Sequence, residues 1–192
     1  MKRPLSKPFT PYYRGRFAPS PSGPLHYGSL VTAVASYLQA RCNQGLWQLR
    51  IEDIDPPREV EGAAEAILEC LAKHHLVSDK PILFQSTRSS AYRTNLQYLK
   101  SHDLSYHCAC TRKTLRQLGG RYDGQCRDRS LSQGAIRLNI DKASELGANS
   151  EVSFIDRAAG HQTYDLKTQG DFIIHRKDGF FAYQLAVVSD DI

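Results

Sequence analysis

The sequence predicts an α/β protein built on a Rossmann-type parallel sheet, with a small metal-binding insertion. Three observations predict it. Short apolar strands alternate with helical patterns through the first hundred residues. A loop of proline, serine and glycine, residues 19–29, joins the first strand to the first helix. The alternation then breaks after Tyr106, and Cys108, Cys110 and Cys126 follow in a stretch rich in arginine and glycine with no clean period.

The first strand ends near Phe17, and a helix runs from Ser29 to Gln44. Trp47-Gln48-Leu49-Arg50-Ile51 reads as a buried strand, with Gly45 before it and acidic residues after it. A second helix is expected from Arg58 to His75, because Val60, Ala64, Ile67, Leu68 and Leu71 recur at helical spacing behind Pro56 and Pro57. Ile82-Leu83-Phe84 is a third strand. The helix from Arg88 to His102 sets Tyr92, Leu96 and Leu99 on one face. Ala135 to Ile140 and Glu151 to Ile155 read as further strands. Asp178-Gly179, between Phe172–Arg176 and Phe180–Ala182, is a hairpin signal. The apolar run Leu185–Val188 follows and the sequence stops at Ile192, which reads as an interrupted domain. The expected organisation is residues 1–106 as the first half of the Rossmann-type domain and 107–134 as the metal-binding insertion. Residues 135–192 are expected to hold the remaining insertion strands and the start of the second half.

With 192 residues, 41% of them hydrophobic, the chain is long enough to bury a good core. No apolar run approaches the ~20 residues of a membrane helix. Met1 to Arg14 contain no apolar stretch, which argues against a secretory signal, so a cytoplasmic protein with no membrane partner is expected. Lys and Arg outnumber Asp and Glu by 25 to 20, a balance that suits a polyanion such as RNA. Nothing in the sequence sets an oligomeric state, and a monomer is expected. Five cysteines, an odd number, argue for thiols or metal rather than disulfides.

In parallel α/β sheets, ligands bind beyond the carboxyl ends of the strands. The loop after Phe17 and the acids after Ile51 should therefore share a crevice. Turn residues ahead of a helix present backbone N–H groups and the positive end of the helix dipole to an anion, and His26 and the serines add donors. A phosphate-bearing ligand is the natural occupant. Cys108 and Cys110, on an extended segment, project their thiols from one face, and Cys126 returns over a loop containing Gly119, Gly120 and Gly124. Three thiolates suit zinc, which takes four ligands. His107 in a strand points away from them. Tyr122 is chemically possible as a phenolate.

His26-Tyr27-Gly28-Ser29 resembles the first signature of the class I aminoacyl-tRNA synthetases, with Ser29 in place of the final histidine. The flanking Phe17-Ala18-Pro19-Ser20-Pro21-Ser22-Gly23 is similar to the glutamyl version. Arg50-Ile51-Glu52-Asp53-Ile54-Asp55-Pro56-Pro57-Arg58-Glu59 and Asp171-Phe172-Ile173-Ile174-His175-Arg176 extend the resemblance, from about Gly15 to the last residue, to the glutamyl-queuosine tRNA(Asp) synthetase family. The resemblance implies a class I catalytic domain and a structural zinc held by Cys108, Cys110, Tyr122 and Cys126. It implies a glutamate pocket of Arg16, Phe17, Ala18, Pro19, Ser20, Glu52 and Tyr183. Taken singly, Glu52 also suits a solvated acid after a strand, and Tyr183 a core aromatic. ATP, with Mg²⁺ as counter-ion, would lie on Pro19, Ser20, Pro21, Ser22, Gly23, His26, Gly28 and Ser29, with His26 and Ser29 as the catalytic pair. The implied partners are L-glutamate, ATP and tRNA(Asp) carrying queuosine.

The family's second ATP loop, and a further arginine of its glutamate pocket, have no match here. These residues are therefore expected to be a portion of a longer enzyme or a natural truncation, inactive in adenylate formation alone. Two other readings stay open: the catalytic part of an ordinary glutamyl-tRNA synthetase, and a tRNA-binding module without catalysis.

Overall fold

The computed structural model describes residues 13–117, 119, 122–147 and 151–192. The reading of the N-terminus as free of a signal rests almost wholly on residues 1–12, which lie outside these, as does Gly120. Contacts divide the chain into two compact units, one reaching Thr87 and the other starting at Arg88. The expected divisions at 106 and 134 follow sequence character instead.

In the first unit β1 (Arg14–Phe17), α1 (Tyr27–Cys42), β2 (Leu46–Ile51), α2 (Ala63–Lys73) and β3 (Leu83–Phe84) alternate, and the strands pair parallel in the order β1-β2-β3. Register is set by Phe17 opposite Leu49 and Ile51 opposite Phe84. The core gathers Phe17, Ala33, Ala40, Trp47, Leu49, Ile51, Ile67, Leu71 and Leu76. Each large apolar side chain buried there contributes about 1.5–3 kcal/mol. Trp47 places its indole edge-on to Tyr37, with ring centroids 5.3 Å apart, and donates from Nε1 to Ser36 Oγ at 2.9 Å. Gly15 lets α1 lie directly on β1: a Cβ there would stand 3.1 Å from both Ala40 Cβ and the Ser36 carbonyl oxygen. Asp79 ties the far end, accepting both arms of Arg41 at 2.7 and 2.9 Å and the Trp47 N–H at 2.7 Å.

The second helix departs from its expected start. Residues Pro56–Arg58 form a separate short 3₁₀ turn, and α2 opens only after Gly62, whose φ of +74° is left-handed. Val60, counted by periodicity among the buried positions, is exposed because its N–H donates to the Pro21 carbonyl at 2.9 Å instead of entering the helix. The first helix likewise begins two residues early.

The second unit contains α3 (Ser89–Ser101), β4 (Ser105–Cys108), α4 (Arg112–Gln117), β5 (Ala135–Leu138) and α5 (Ile140–Glu145). The hairpin β6 (Glu151–Asp156) and β7 (Gly160–Asp165), then α6 (Leu166–Gln169), β8 (Ile173–His175) and α7 (Tyr183–Asp191), complete it. Its sheet is antiparallel, in the order β4-β5-β8. The strand expected to reach Ile140 ends at Leu138, because Asn139 caps α5 by accepting from the Lys142 N–H at 3.1 Å. The turn at Asp178-Gly179 is present, but its second arm pairs only through a bridge from Phe181 to His175. The apolar run 185–188 is helical. On α7, buried Asp190 accepts from Arg88 at 3.1 Å and from the Tyr92 hydroxyl at 2.6 Å. No helix among the described residues is long and apolar enough to cross a membrane.

Asp171, just before β8, is the polar centre of this unit. Its fully buried carboxylate accepts Arg127 through Nε at 2.7 Å and Nη2 at 2.8 Å, the Ile140 N–H at 3.0 Å and the Tyr106 hydroxyl. Burial opposes its ionisation, yet these bonds outweigh it and hold the carboxyl below its ordinary value. A carboxyl so depressed stabilises the fold above its unfolded pKa of 3.8, and that contribution fades as pH falls through the lower folded value. Asp171→Ala, which leaves Arg127 without its buried partner, is expected to cost about 3 kcal/mol in denaturant unfolding at pH 7. The difference from the parent chain should shrink as pH falls below 3.8 and through the lowered folded value.

Candidate functional site

The loop between β1 and α1 is fixed from three directions. Pro19 offers its carbonyl to the Glu52 N–H at 3.0 Å, which places the end of β2 against the loop. Pro21 accepts from Val60, as described, and the Ser22 N–H closes a tight turn onto the Ser20 carbonyl at 2.9 Å. Gly23 adopts φ +146°, a conformation that side chains rarely take. The loop curls around a cavity of about 340 Å³ lined by Phe17, Ala18, Pro19, Ser20, Ser22, Gly23, Pro24, Leu25, His26, Ser29, Thr32 and Ile67.

His26 is the N-cap of α1. Its Nδ1 accepts the Ser29 N–H at 3.1 Å, and Nε2 lies 3.1 Å from Ser29 Oγ. With Nδ1 accepting, Nε2 carries the proton and donates to the serine. The glycine at 28 makes room for this ring, since a Cβ there would meet His26 Cε1 at 3.2 Å. One of the helix N–H groups expected to face an anion is therefore engaged by the imidazole. His26 and Ser29 act as a bonded pair at the helix's positive end.

Arg16 is exposed on β1 and Ser20 exposed on the loop. Glu52 is not a solvated acid: it is 8% exposed, and its carboxylate accepts Arg50 Nη2 at 2.9 Å, both side chains being buried. Asp53, one residue on, accepts both the N–H and the hydroxyl of Ser86, at 2.8 and 2.6 Å, and so anchors the segment after β3. Tyr183 belongs to the second unit, where it opens α7 and is 57% exposed, so it is not a core aromatic.

The cysteines converge. The Sγ atoms of Cys108, Cys110 and Cys126 lie within 4.8 Å of one another, those of Cys110 and Cys126 at 3.6 Å. The buried Tyr122 accepts the Cys126 N–H on its hydroxyl at 2.9 Å and hydrogen-bonds the thiols of Cys126 and Cys108. Burial first, then hydrogen bonds with Cys126 and Cys108, push the Cys110 thiol up to about 12. Burial opposes ionisation of Cys126 too. Hydrogen bonds from Tyr122, the Ala109 N–H, Cys110 and Cys108 prevail and bring it down to about 7. Burial, with the bonds to Cys126 and Cys108, raises the Tyr122 hydroxyl above its ordinary value. Buried soft donors whose partners are chiefly one another fit a soft divalent metal.

The family model described as "tRNA synthetases class I (E and Q), catalytic domain" matches residues 13–192. The chain belongs to this family. It is 51% identical over 180 residues to the "Glutamyl-Q tRNA(Asp) synthetase" of Yersinia pestis, covering 93% of this chain and 54% of the relative. It is 53% identical over 184 residues to the protein of that name from Cronobacter sakazakii, at 93% and 59% coverage. The class I chain thus spans little more than half the length of these relatives. Among solved structures it is similar to a glutamate tRNA ligase from Elizabethkingia meningosepticum in complex with its amino acid. There the TM-score is 0.74 and the identity 29%, over 93% of this chain and 41% of that one.

The sequence pointed to the loop and the thiols but missed what holds them. Arg50 reads in the sequence as part of a strand, and only its burial with Glu52 two residues on reveals the ion pair. The capping role of His26 follows from its place just ahead of α1. His26→Ala is expected to lower stability by about 1 kcal/mol through loss of the cap, and His26→Asn to recover most of it, as read by thermal unfolding.

Proposed function

We propose that this chain carries the amino-acid- and nucleotide-binding part of a glutamyl-queuosine tRNA(Asp) synthetase. The observation that carries the reading is the cavity formed by the signature segment 17–29, with Glu52 hydrogen-bonded to its wall through Pro19. The relatives support the acceptor. Identity is 47–53% to eight proteins named glutamyl-Q tRNA(Asp) synthetase and 28–29% to the solved glutamate ligases.

In this reading the guanidinium of Arg16 takes a substrate carboxylate as a charge-assisted fork, and the Ser20 hydroxyl and the Ala18 backbone orient the glutamate. Phe17 and Pro19 shape the pocket, and Glu52 takes the ammonium. A glutamate carboxylate oxygen attacks the α-phosphorus of ATP, the bond to the β-phosphate oxygen breaks, and pyrophosphate leaves; Mg²⁺ would accompany ATP as counter-ion to its phosphates. Charge accumulates on the phosphate oxygens, so positioning and electrostatics supply most of the acceleration. The Nε2–H of His26 and the Ser29 hydroxyl lie where α1 directs its positive end. Pro21, Ser22, Gly23 and Gly28 allow the nucleotide close to the backbone. A hydroxyl of the queuosine ring then attacks the activated carbonyl and AMP departs.

Charge distribution supports an RNA partner. Residues 107–134 hold six Lys and Arg against two Asp, although the whole chain has an excess of only five. Arg112, Lys113, Arg116 and Arg129 are exposed there, with no carboxylate partner among the described residues. A zinc ion on Cys108, Cys110, Cys126 and Tyr122 would hold this segment together, since it buries few large apolar side chains.

The purified protein is expected to retain about one equivalent of zinc per chain by elemental analysis, and Cys126→Ser to lose it on dialysis. Full-length protein, supplied with labelled glutamate and ATP, should label tRNA(Asp) only when queuosine is present. Arg16→Ala should reduce that labelling about 100-fold or more. Labelling of the 3′ end of tRNA(Glu) instead would identify an ordinary glutamyl-tRNA synthetase.

A further inference from the structure

Arg137 is a buried cation that is paired with no carboxylate among the described residues. It lies on β5, is 4% exposed, and forms no ion pair among the described residues. Its one hydrogen bond, from Nη1 at 2.6 Å, goes to the main-chain carbonyl of Asp171, and its buried Nε has no partner among the described residues. The nearby carboxylate of Asp171 accepts Arg127, Tyr106 and the Ile140 N–H instead. An unpaired guanidinium taken out of water is costly, so its retention here calls for a compensating charge.

The structure shows what its face meets. The guanidinium carbon lies 3.9 Å from the centroid of the Tyr122 ring, well inside cation–π range. The hydroxyl of the same ring bonds the Cys108 and Cys126 thiols. β5 pairs with β4 so that Ala135 is opposite Cys108 and Arg137 opposite Tyr106, which fixes the guanidinium against the thiol cluster. A divalent metal on three thiolates leaves the cluster net negative, and Arg137 is positioned to balance that charge through the aromatic ring.

We propose that Arg137 is a positioning residue for the metal cluster: its guanidinium clamps the Tyr122 ring and offsets the negative charge of the metal-bound thiolates. The inference rests on the cluster holding a metal, the reading given above. It goes further in assigning affinity to a residue that touches no metal. Partners of this outer kind typically change metal affinity 10- to 100-fold.

The test measures zinc affinity by competition with a chromogenic chelator, using the full chain. Arg137→Met keeps the length of the side chain and removes its charge, and is expected to weaken zinc binding about 10-fold or more. Arg137→Lys keeps the charge and should remain within about threefold of the parent. Each change is repeated in a Tyr122→Phe background. There the loss from Arg137→Met should shrink by at least half on a logarithmic scale if its effect runs through the phenol. The cobalt-substituted protein gives a second readout, a shifted visible absorption spectrum for Arg137→Met with tyrosine at 122 retained. Equal losses in both backgrounds, or no loss in either, would overturn the proposal. Should Arg137→Met fail to fold, Arg137→Lys and Arg137→Gln carry the same cycle, and an affinity for Arg137→Gln equal to that for Arg137→Lys overturns it. A parent chain that binds no zinc would refute the metal reading itself, a result distinct from any of these.

Discussion

Two main-chain hydrogen bonds, from Glu52 to Pro19 and from Val60 to Pro21, govern the geometry of the first unit. They join the loop after β1 to the chain that leaves β2, two segments separated by some thirty residues of sequence. Parallel pairing of β1 with β2 brings both strand ends to the same side, and the proline carbonyls then serve as fixed acceptors. Because proline donates no hydrogen bond, these residues leave the loop's carbonyls free for such contacts while restricting its conformations. The cavity, with the buried Arg50–Glu52 pair set against its wall, follows from that attachment. With the loop detached, His26 would still cap α1, but the cavity would lose the wall that β2 supplies.

The second unit is organised differently, around buried charge. Asp171 gathers an arginine, a tyrosine and a backbone N–H from three parts of the chain, where an apolar core would otherwise be needed. Beside it lie the three thiols, their tyrosine and Arg137. Removing any one partner leaves another polar group buried and unsatisfied, so the arrangement is specific as well as stabilising.

Much of this was legible in the chain, and the parts that were not have physical reasons. The parallel strands were readable because Trp47, Leu49 and Ile51 form an apolar run bounded by glycine and acids. The thiol cluster was readable from the spacing of Cys108, Cys110 and Cys126. β7 was not, since Gly160–Asp165 is polar and its hairpin exposes both faces, leaving no alternation to detect. Val60 fits a helical period that its hydrogen bond to Pro21 overrides. The run Leu185–Val188 suits strand or helix equally, and packing of α7 on α3 decides for the helix. The network of Asp171 depends on Tyr106, 65 residues earlier, and no local pattern foretells it.

At the centre of the account is a claim about place: glutamate and nucleotide bind within the curl of residues 17–29 beside Glu52. A crystal structure of the full-length protein with a non-hydrolysable glutamyl-adenylate analogue tests it most directly. The account predicts the analogue in that cavity, its phosphate within hydrogen-bond distance of His26 Nε2 and its amino-acid portion between Arg16 and Glu52. An analogue bound elsewhere, with this cavity filled only by solvent, would contradict it.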